Sequence, residues 1–194
     1  EWRDSRGAVE RMIARKLGGS SEERINARDL TAGDATTDEA RDFLDEYHVQ
    51  GSVLSSVRKT LRDTGGRIRA IATFRKRSEE KWELTRFATN GIVRGGFSKL
   101  LKAFIEEFRP EEIVTFADRG VSDGGLYEAH GFTHDGYLEP DYKYVRNGNK
   151  REHKFNYRIS RFKTDPRLKY EEGLTERQLA KLNNLHRIYD AGKV

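Results

Sequence analysis

Apolar residues recur along this chain at two periods, and the switching between them predicts an order of elements. Val9, Met12, Ile13 and Leu17 are spaced i, i+3, i+4, i+8, which predicts a short amphipathic helix ending at Gly18-Gly19. A polar linker, Ser20 to Arg24, leads into a predicted first strand over Ile25 to Leu30. Thr36 and, three residues later, Glu39 make a capping-box signal for a helix from Asp38 to Tyr47, striped by Ala40, Phe43, Leu44 and Tyr47. Val57 to Leu61 and Ile68 to Phe74 read as antiparallel strands joined at Asp63-Thr64-Gly65-Gly66, where glycine tolerates positive φ.

The middle of the chain is the most regular. Trp82 to Phe87 reads as a half-buried strand and Asn90 to Gly96 as a glycine-bearing loop. A helix follows with Leu100, Leu101, Phe104, Ile105 and Phe108 on one face; Pro110 stops it, and Ile113 to Ala117 reads as a buried strand. A glycine-rich turn then enters a short helix, Leu126 to His130, closed by Gly131. This is a βαβα unit, and open α/β sheets bind ligands at the carboxyl ends of their strands. Tyr137 to Val145 and His153 to Ile159 alternate as strands about Asn147-Gly148-Asn149. In the tail, Thr175 and Gln178 signal a helix carrying Leu174, Leu179, Leu182 and Leu185. The expected organisation is a helix and linker over 1–24, one α/β (α+β) domain over 25–160, and a basic, helical extension over 161–194.

Composition narrows the classes. Hydrophobic residues make up 35% and charged residues 36% of the 194, which predicts a soluble, highly solvated protein. No run approaches the roughly 18 apolar residues of a membrane span, so no membrane partner is expected. The charged N-terminus lacks an apolar signal core. With no cysteine there are no disulfides, no thiolate zinc site and no cysteine nucleophile, which fits a cytoplasmic setting. The chain starts at Glu1 and holds one Met, which raises the expectation of an upstream domain. A formal charge of +5 and a pI near 9.4 are compatible with nucleic acid. The five histidines are scattered without helical metal spacing, so no metal is expected.

The string LYEAHGF, closing the strand–Gly-loop–helix–strand order, resembles the second half of the GNAT superfamily of acyl-CoA-dependent acyltransferases. The phrases YHVQG, WELTRF, GGFSKL and ADRGVSDGGLYEAHGF also resemble phage-encoded GNAT-like domains, some attached to nucleases, and the Mom DNA-modification proteins. The resemblance implies a GNAT-like fold, a mixed and mostly antiparallel central sheet flanked by helices, with acetyl-CoA or another acyl-CoA as cofactor. It implies that the loop before the long helix cradles the cofactor pyrophosphate and that Tyr127 protonates the leaving thiolate, a role that suits a phenol. The usual loop pattern is Arg or Gln, two residues, Gly, one residue, then Gly or Ala. With Gly95 at the first small position, Ile92 and Phe97 depart from it.

The residues themselves offer several chemistries. Val93, Arg94, Gly95, Gly96, Phe97 and Ser98 open a helix, where unsatisfied N–H groups and the dipole favour phosphate. Asp118, Arg119, Ser122 and Asp123 follow a strand: a carboxylate there serves as general base or amine ligand, or the group fixes its loop, with Ser122 or Asp123 as a helix cap. Tyr47, His48 and Gln50 lie in a loop after a helix. His48 is a candidate proton acceptor and Gln50 has the donor–acceptor pair that reads adenine, against a purely structural role. Arg86 is a candidate anion or substrate contact; Glu83, three residues away, shares its strand face only across a bulge. From Tyr142 onward cations interleave with aromatics, among them Lys143, Arg151, Lys154 and Arg158, as phosphates and exposed bases require. The alternative is that the rings fill a core while the cations stay solvated.

These readings converge on a phage-type acyltransferase modifying nucleic acid, most concretely a DNA base amine in the manner of Mom, in a bacterial host cell. His48 or Asp118 would accept the amine proton and Tyr127 would protonate the leaving sulfur. The alternatives are a non-catalytic DNA-binding module of a phage nuclease, and an ordinary GNAT in which Asp118 and Asp123 bind a cationic protein or small-amine acceptor.

Overall fold

The computed structural model describes residues 5–19, 21–146 and 150–194, and the chain forms two compact units, 1–116 and 117–194. The turn expected at Asn147-Gly148-Asn149 lies outside the described residues.

The first unit is built on a five-stranded sheet in the order β2-β3-β4-β5-β7. Its strands are β2 (Thr31–Asp34), β3 (Val57–Arg62), β4 (Ile68–Lys76), β5 (Lys81–Thr89) and β7 (Glu112–Thr115). All neighbours are antiparallel except β5 and β7. This is the expected mixed, mostly antiparallel sheet flanked by helices. A short parallel pair, β1 (Arg24–Asn26) with β6 (Ile92–Arg94), lies within the same unit.

β4 is the axis, because its sequence is apolar on both faces. Ala70, Ile71, Ala72, Thr73 and Phe74 are all buried. Side chains alternate across a strand, so Ile71 and Phe74 serve opposite sides. Helix α2 (Thr37–Tyr47) brings Ala40, Phe43 and Leu44 into a cluster with Ile71 and Ala88. Helix α3 (Gly96–Phe108) covers the other side, where Phe104 stacks on Phe74 at 3.7 Å between centroids and meets Trp82 edge-on at 5.2 Å. The capping box is present: Thr36 Oγ1 accepts the Glu39 N–H and Glu39 returns a carboxylate to the Thr36 N–H. At Asp63–Gly66, Asp63 Oδ1 accepts the N–H groups of Gly65 and Arg67, and Gly66 has φ 79°.

Several expectations fail for local reasons. The predicted strand Ile25–Leu30 is broken by a 3₁₀ turn at Ala27–Asp29, so β1 and β2 join different sheets. β7 is half-exposed rather than buried, and Ile105 remains 43% exposed. In α1 (Arg6–Lys16) the apolar stripe does little; only Ala8 is buried. The helix is held by arginines instead. Arg11 donates to the Glu46 carbonyl and lies 4.7 Å over the Tyr47 ring, while Arg15 reaches the Gly91 carbonyl at 3.0 Å.

The second unit has a three-stranded antiparallel sheet, β10 (Leu185–Tyr189), β8 (Tyr142–Arg146), β9 (Lys150–His153). Short helices α4 (Gly125–Glu128), α5 (Ile159–Thr164) and α6 (Glu176–Leu182) complete it. Its core gathers Tyr144, Tyr157, Phe162, Leu179, Ala180 and Leu185. The predicted strand His153–Ile159 is a 3₁₀ turn, because the His153 ring accepts the Phe155 N–H and curls the chain. Leu185 is not helical. Asn183 caps α6, and Asn184 turns at φ 54° into β10, a strand the sequence reading missed.

Phe104→Ala is expected to destabilise the protein by about 3–5 kcal/mol through loss of apolar contact and an unfilled cavity. Urea denaturation should show the midpoint falling with an unchanged slope.

Candidate functional site

Two features of the first unit build a site. The first is the opening of the sheet. Across β4 and β5 the register slips so that Thr73 faces Arg86 while Phe74 faces Leu84, leaving Thr85 as an extra residue. Such a bulge bends its strand. Thr85 Oγ1 is held by Thr73, at 2.8 Å from its hydroxyl and 3.0 Å from its carbonyl. The parallel ladder of β5 with β7 stops at the residue before the bulge, Leu84 opposite Thr115. β5 continues to Thr89 without a β7 partner, and ligand sites lie at the carboxyl ends of such parallel pairs.

The second feature is the start of α3. Gly95 sits in the left-handed region at φ 72°, and no side chain caps the helix. Gly96 must lack a side chain: an added Cβ would lie 2.9 Å from Val93 Cγ1 and 3.8 Å from Ala70 Cβ on β4. Phe97 points away from the loop into the core, 4% exposed and edge-on to Phe87. Its bulk is thus not on the loop surface, although Phe97 departs from the usual loop pattern. Ile92 lies in β6 with its N–H on the Glu23 carbonyl.

A groove of about 700 Å³ opens at this helix start, lined by Arg28, Arg94, Gly95, Ser98 and Lys102 among others. Lys99 spans it and donates to the Ala27 and Leu30 carbonyls at 3.0 and 2.6 Å, which fixes the 3₁₀ turn bearing Arg28. Among the described residues the charges of Arg28 and Lys102 are met only by exposed pairs at 3.7 Å, with Asp29 and Glu106. Pairs of that kind contribute little. Arg94 has no ion-pair partner among the described residues. First-turn N–H groups have no intrahelical acceptor, so donors, dipole and three cations meet in one basic groove. Arg28 and Lys102 escaped the sequence reading; Lys102 lies one turn beyond Ser98 and was legible, whereas Arg28 was hidden in a predicted strand.

The other candidates of this unit are tied to backbone. His48 Nδ1 accepts the Gln50 N–H at 3.1 Å. Burial, with the nearby Arg86 charge, pushes its pKa down to about 4. The ring is therefore neutral at pH 7, and with Nδ1 accepting, its proton lies on Nε2. Arg86 donates to the Gly51 carbonyl at 3.0 Å and the Thr85 carbonyl at 2.7 Å, pinning the loop after α2 to β5. Tyr47 packs against Phe43 with the rings tilted and their centroids 4.6 Å apart, under Arg11, and burial raises its pKa. Gln50 is exposed. Lys59 is a further surprise, 5% exposed inside the α3 face. Burial opposes its charge, but Asp34 at 2.7 Å and Glu107 at 2.5 Å outweigh it and raise its pKa.

In the second unit Tyr127 lies in α4, half-buried, 5.7 Å from the Phe132 ring. Asp118 Oδ1 accepts the Gly120 N–H at 2.9 Å, Ser122 Oγ the Gly124 N–H at 3.2 Å, and Asp123 Oδ1 the Gly125 N–H at 3.0 Å. These side chains shape the loop into α4, while Arg119 covers the Tyr137 ring at 4.9 Å. Of the interleaved aromatics, Tyr144, Tyr157 and Phe162 fill the core, as the structural alternative anticipated. Lys143, Arg151 and Arg158 are exposed, and Lys154 bridges to Asp141 at 2.5 Å. Among the described residues no group of three His, Asp or Glu could hold a metal, and no helix is long and apolar enough to cross a membrane.

No protein-family model and no curated protein matches the chain. Among solved structures it is similar to the spermidine/spermine N-acetyltransferase SpeG of Vibrio cholerae in complex with manganese ions. That match has a TM-score of 0.48 and 13% identity over 64% of this chain and 89% of that one. It is also similar to a histone acetyltransferase HPA2 and related acetyltransferase of Corynebacterium glutamicum (TM-score 0.45, 18% identity, 64% and 93% covered). A GNAT family acetyltransferase of Elizabethkingia anophelis with acetyl-CoA bound matches with TM-score 0.37 and 14% identity, over 84% and 96%. These likenesses concern the fold.

The lowered pKa of His48 has a consequence for stability. The unfolded chain takes up a proton near pH 6.5 that the folded protein resists until about pH 4, so the stabilisation is complete above 6.5 and is lost as pH falls toward 4. His48→Asn should flatten this limb in urea titrations between pH 4 and 7, and the His48 ring resonances should titrate near 4.

Proposed function

We propose that this chain is an acyl-CoA-dependent N-acyltransferase of GNAT type whose acceptor is an amine of nucleic acid. The groove at the start of α3 carries the first half of this reading. An uncapped helix start with Arg28, Arg94, Ser98 and Lys102 around it suits a pyrophosphate. Gly96 lets that helix begin against β4, and the inward turn of Phe97 leaves the loop surface to backbone. The residues present therefore fit CoA, which when loaded supplies the acyl group as a thioester. Beyond Leu84, β5 continues past its ladder with β7. Backbone groups on such an edge suit an extended, amide-bearing arm taken up as an added strand.

The chain's own residues then divide the work. The first unit holds phosphates through the α3 turn and its cations, and His48 is a neutral donor. The second unit carries Tyr127, the proton donor that the GNAT resemblance implies, in α4 after a loop shaped by Asp118, Ser122 and Asp123. The nucleic-acid half rests on charge. Tyr142 to Lys169 contains ten Lys or Arg against two acidic residues, with Lys143, Arg151 and Arg158 exposed. A DNA base amine, as in Mom-like modification, is the acceptor this favours. A second reading, a non-catalytic DNA-binding module attached to a nuclease, is favoured by one observation: His48, Arg86, Asp118 and Ser122 all bond to backbone.

Calorimetry with CoA and acetyl-CoA separates the two. Binding should be measurable, and Arg94→Ala and Lys102→Ala should each weaken it about tenfold, the size of one charge-assisted hydrogen bond of about 1.5 kcal/mol. A folded protein that binds neither ligand would leave only the binding module.

A further inference from the structure

The second unit contains a polar cavity whose shape the charge argument does not use. It holds about 240 Å³ and is walled by Tyr142, Lys154, Phe155, Arg158 and Glu176. Drug-sized ligands need roughly 300–1,000 Å³, so this space admits one small ring system.

Its walls are specific. Phe155 is 52% exposed, and the 3₁₀ turn Lys154–Tyr157 fixes its backbone with its N–H on His153 Nδ1 at 3.3 Å. The Arg158 guanidinium lies 4.2 Å from the Phe155 centroid, a flat cation layered on a ring, with no acidic partner among the described residues. Tyr142 is held beneath Arg187 at 4.2 Å and Lys154 at 5.5 Å. Glu176 is anchored by one oxygen, which accepts the Ile159 N–H at 3.2 Å. Its second oxygen has no protein partner among the described residues and is an acceptor in waiting.

A flat aromatic–guanidinium layer, one anchored acceptor and room for a single ring lie in the most basic stretch of the chain. Stacking surfaces of this kind bind unpaired bases, and the cations bind their phosphates. We infer that the cavity receives one unpaired nucleobase with an exocyclic amine, from a single strand, stacking on the Phe155–Arg158 layer and donating its amine to Glu176. This rests on the nucleic-acid half of the proposed function and is independent of acyl transfer.

Fluorescence anisotropy on the full chain tests it, with labelled homopolymers of about twelve nucleotides, within the site sizes such surfaces cover, and a duplex of equal length. Deoxycytidylate and deoxyadenylate should bind about fivefold tighter than thymidylate or duplex. Phe155→Ala should weaken deoxycytidylate binding about tenfold, as loss of one stacked base does, without changing the salt dependence. Arg158→Ala should weaken it and lower the salt slope by about one. In Glu176→Gln the side-chain carbonyl keeps the Ile159 N–H and the cavity gains a donor, so the preference should turn toward thymidylate. Equal affinities for all four, unmoved by Phe155→Ala, would overturn the cavity and leave non-specific DNA binding. No binding of any strand would overturn both the cavity and the nucleic-acid acceptor, while CoA calorimetry on the same samples reports the acyl reading separately.

Discussion

The first unit depends on one strand whose middle is shut away from water on both faces. With five consecutive β4 residues buried, both faces of the sheet must be covered, and α2 and α3 are the covers. The Phe74–Phe104 stack sets where α3 lies, and Gly96, 3.8 Å from Ala70 when given a Cβ, sets how closely it begins. The basic groove is therefore a consequence of core packing. Its helix start is aimed by rings at the far end of the same helix.

Much of this was legible. The α2 capping box, the Asp63–Gly66 turn and the order strand, Gly-loop, helix, strand follow from period and turn chemistry, which are local. What stayed hidden was set by contacts distant in sequence. Ala27–Asp29 reads as strand until Lys99, some seventy residues on, takes its carbonyls and turns Arg28 toward α3. Lys59 alternates like a solvated strand residue, yet two carboxylates from other elements draw it inside. Candidate chemistry was the least legible. Side chains chosen for reactivity, such as His48 and Asp118, turned out to bind nearby N–H groups, a use that sequence alone does not separate from catalysis.

The second unit shows the converse. Its interleaved rings and cations sort cleanly by depth, with Tyr144, Tyr157 and Phe162 in the core and Phe155 left outside. The sorting follows from the His153 cap, which replaces a strand with a 3₁₀ turn and changes the direction in which successive side chains point. An alternating strand would have placed Phe155 and Tyr157 on one side.

The extra residue in β5 also bears on how this fold tolerates change in length. Thr85 splits the strand into two stretches of opposite phase: up to Leu84 the pleat is locked to β7, and from Arg86 it is locked to β4 and the loop at Gly51. Substituting Thr85 alters only its own hydroxyl contacts. Deleting it would set Arg86 directly after Leu84, opposite Thr73 in a regular ladder, so the facing from Arg86 to Thr89 would be kept and the bend of the bulge lost. The bulge is thus a place where β5 can lose a residue and keep the facing of the sheet, at the cost of its local bend.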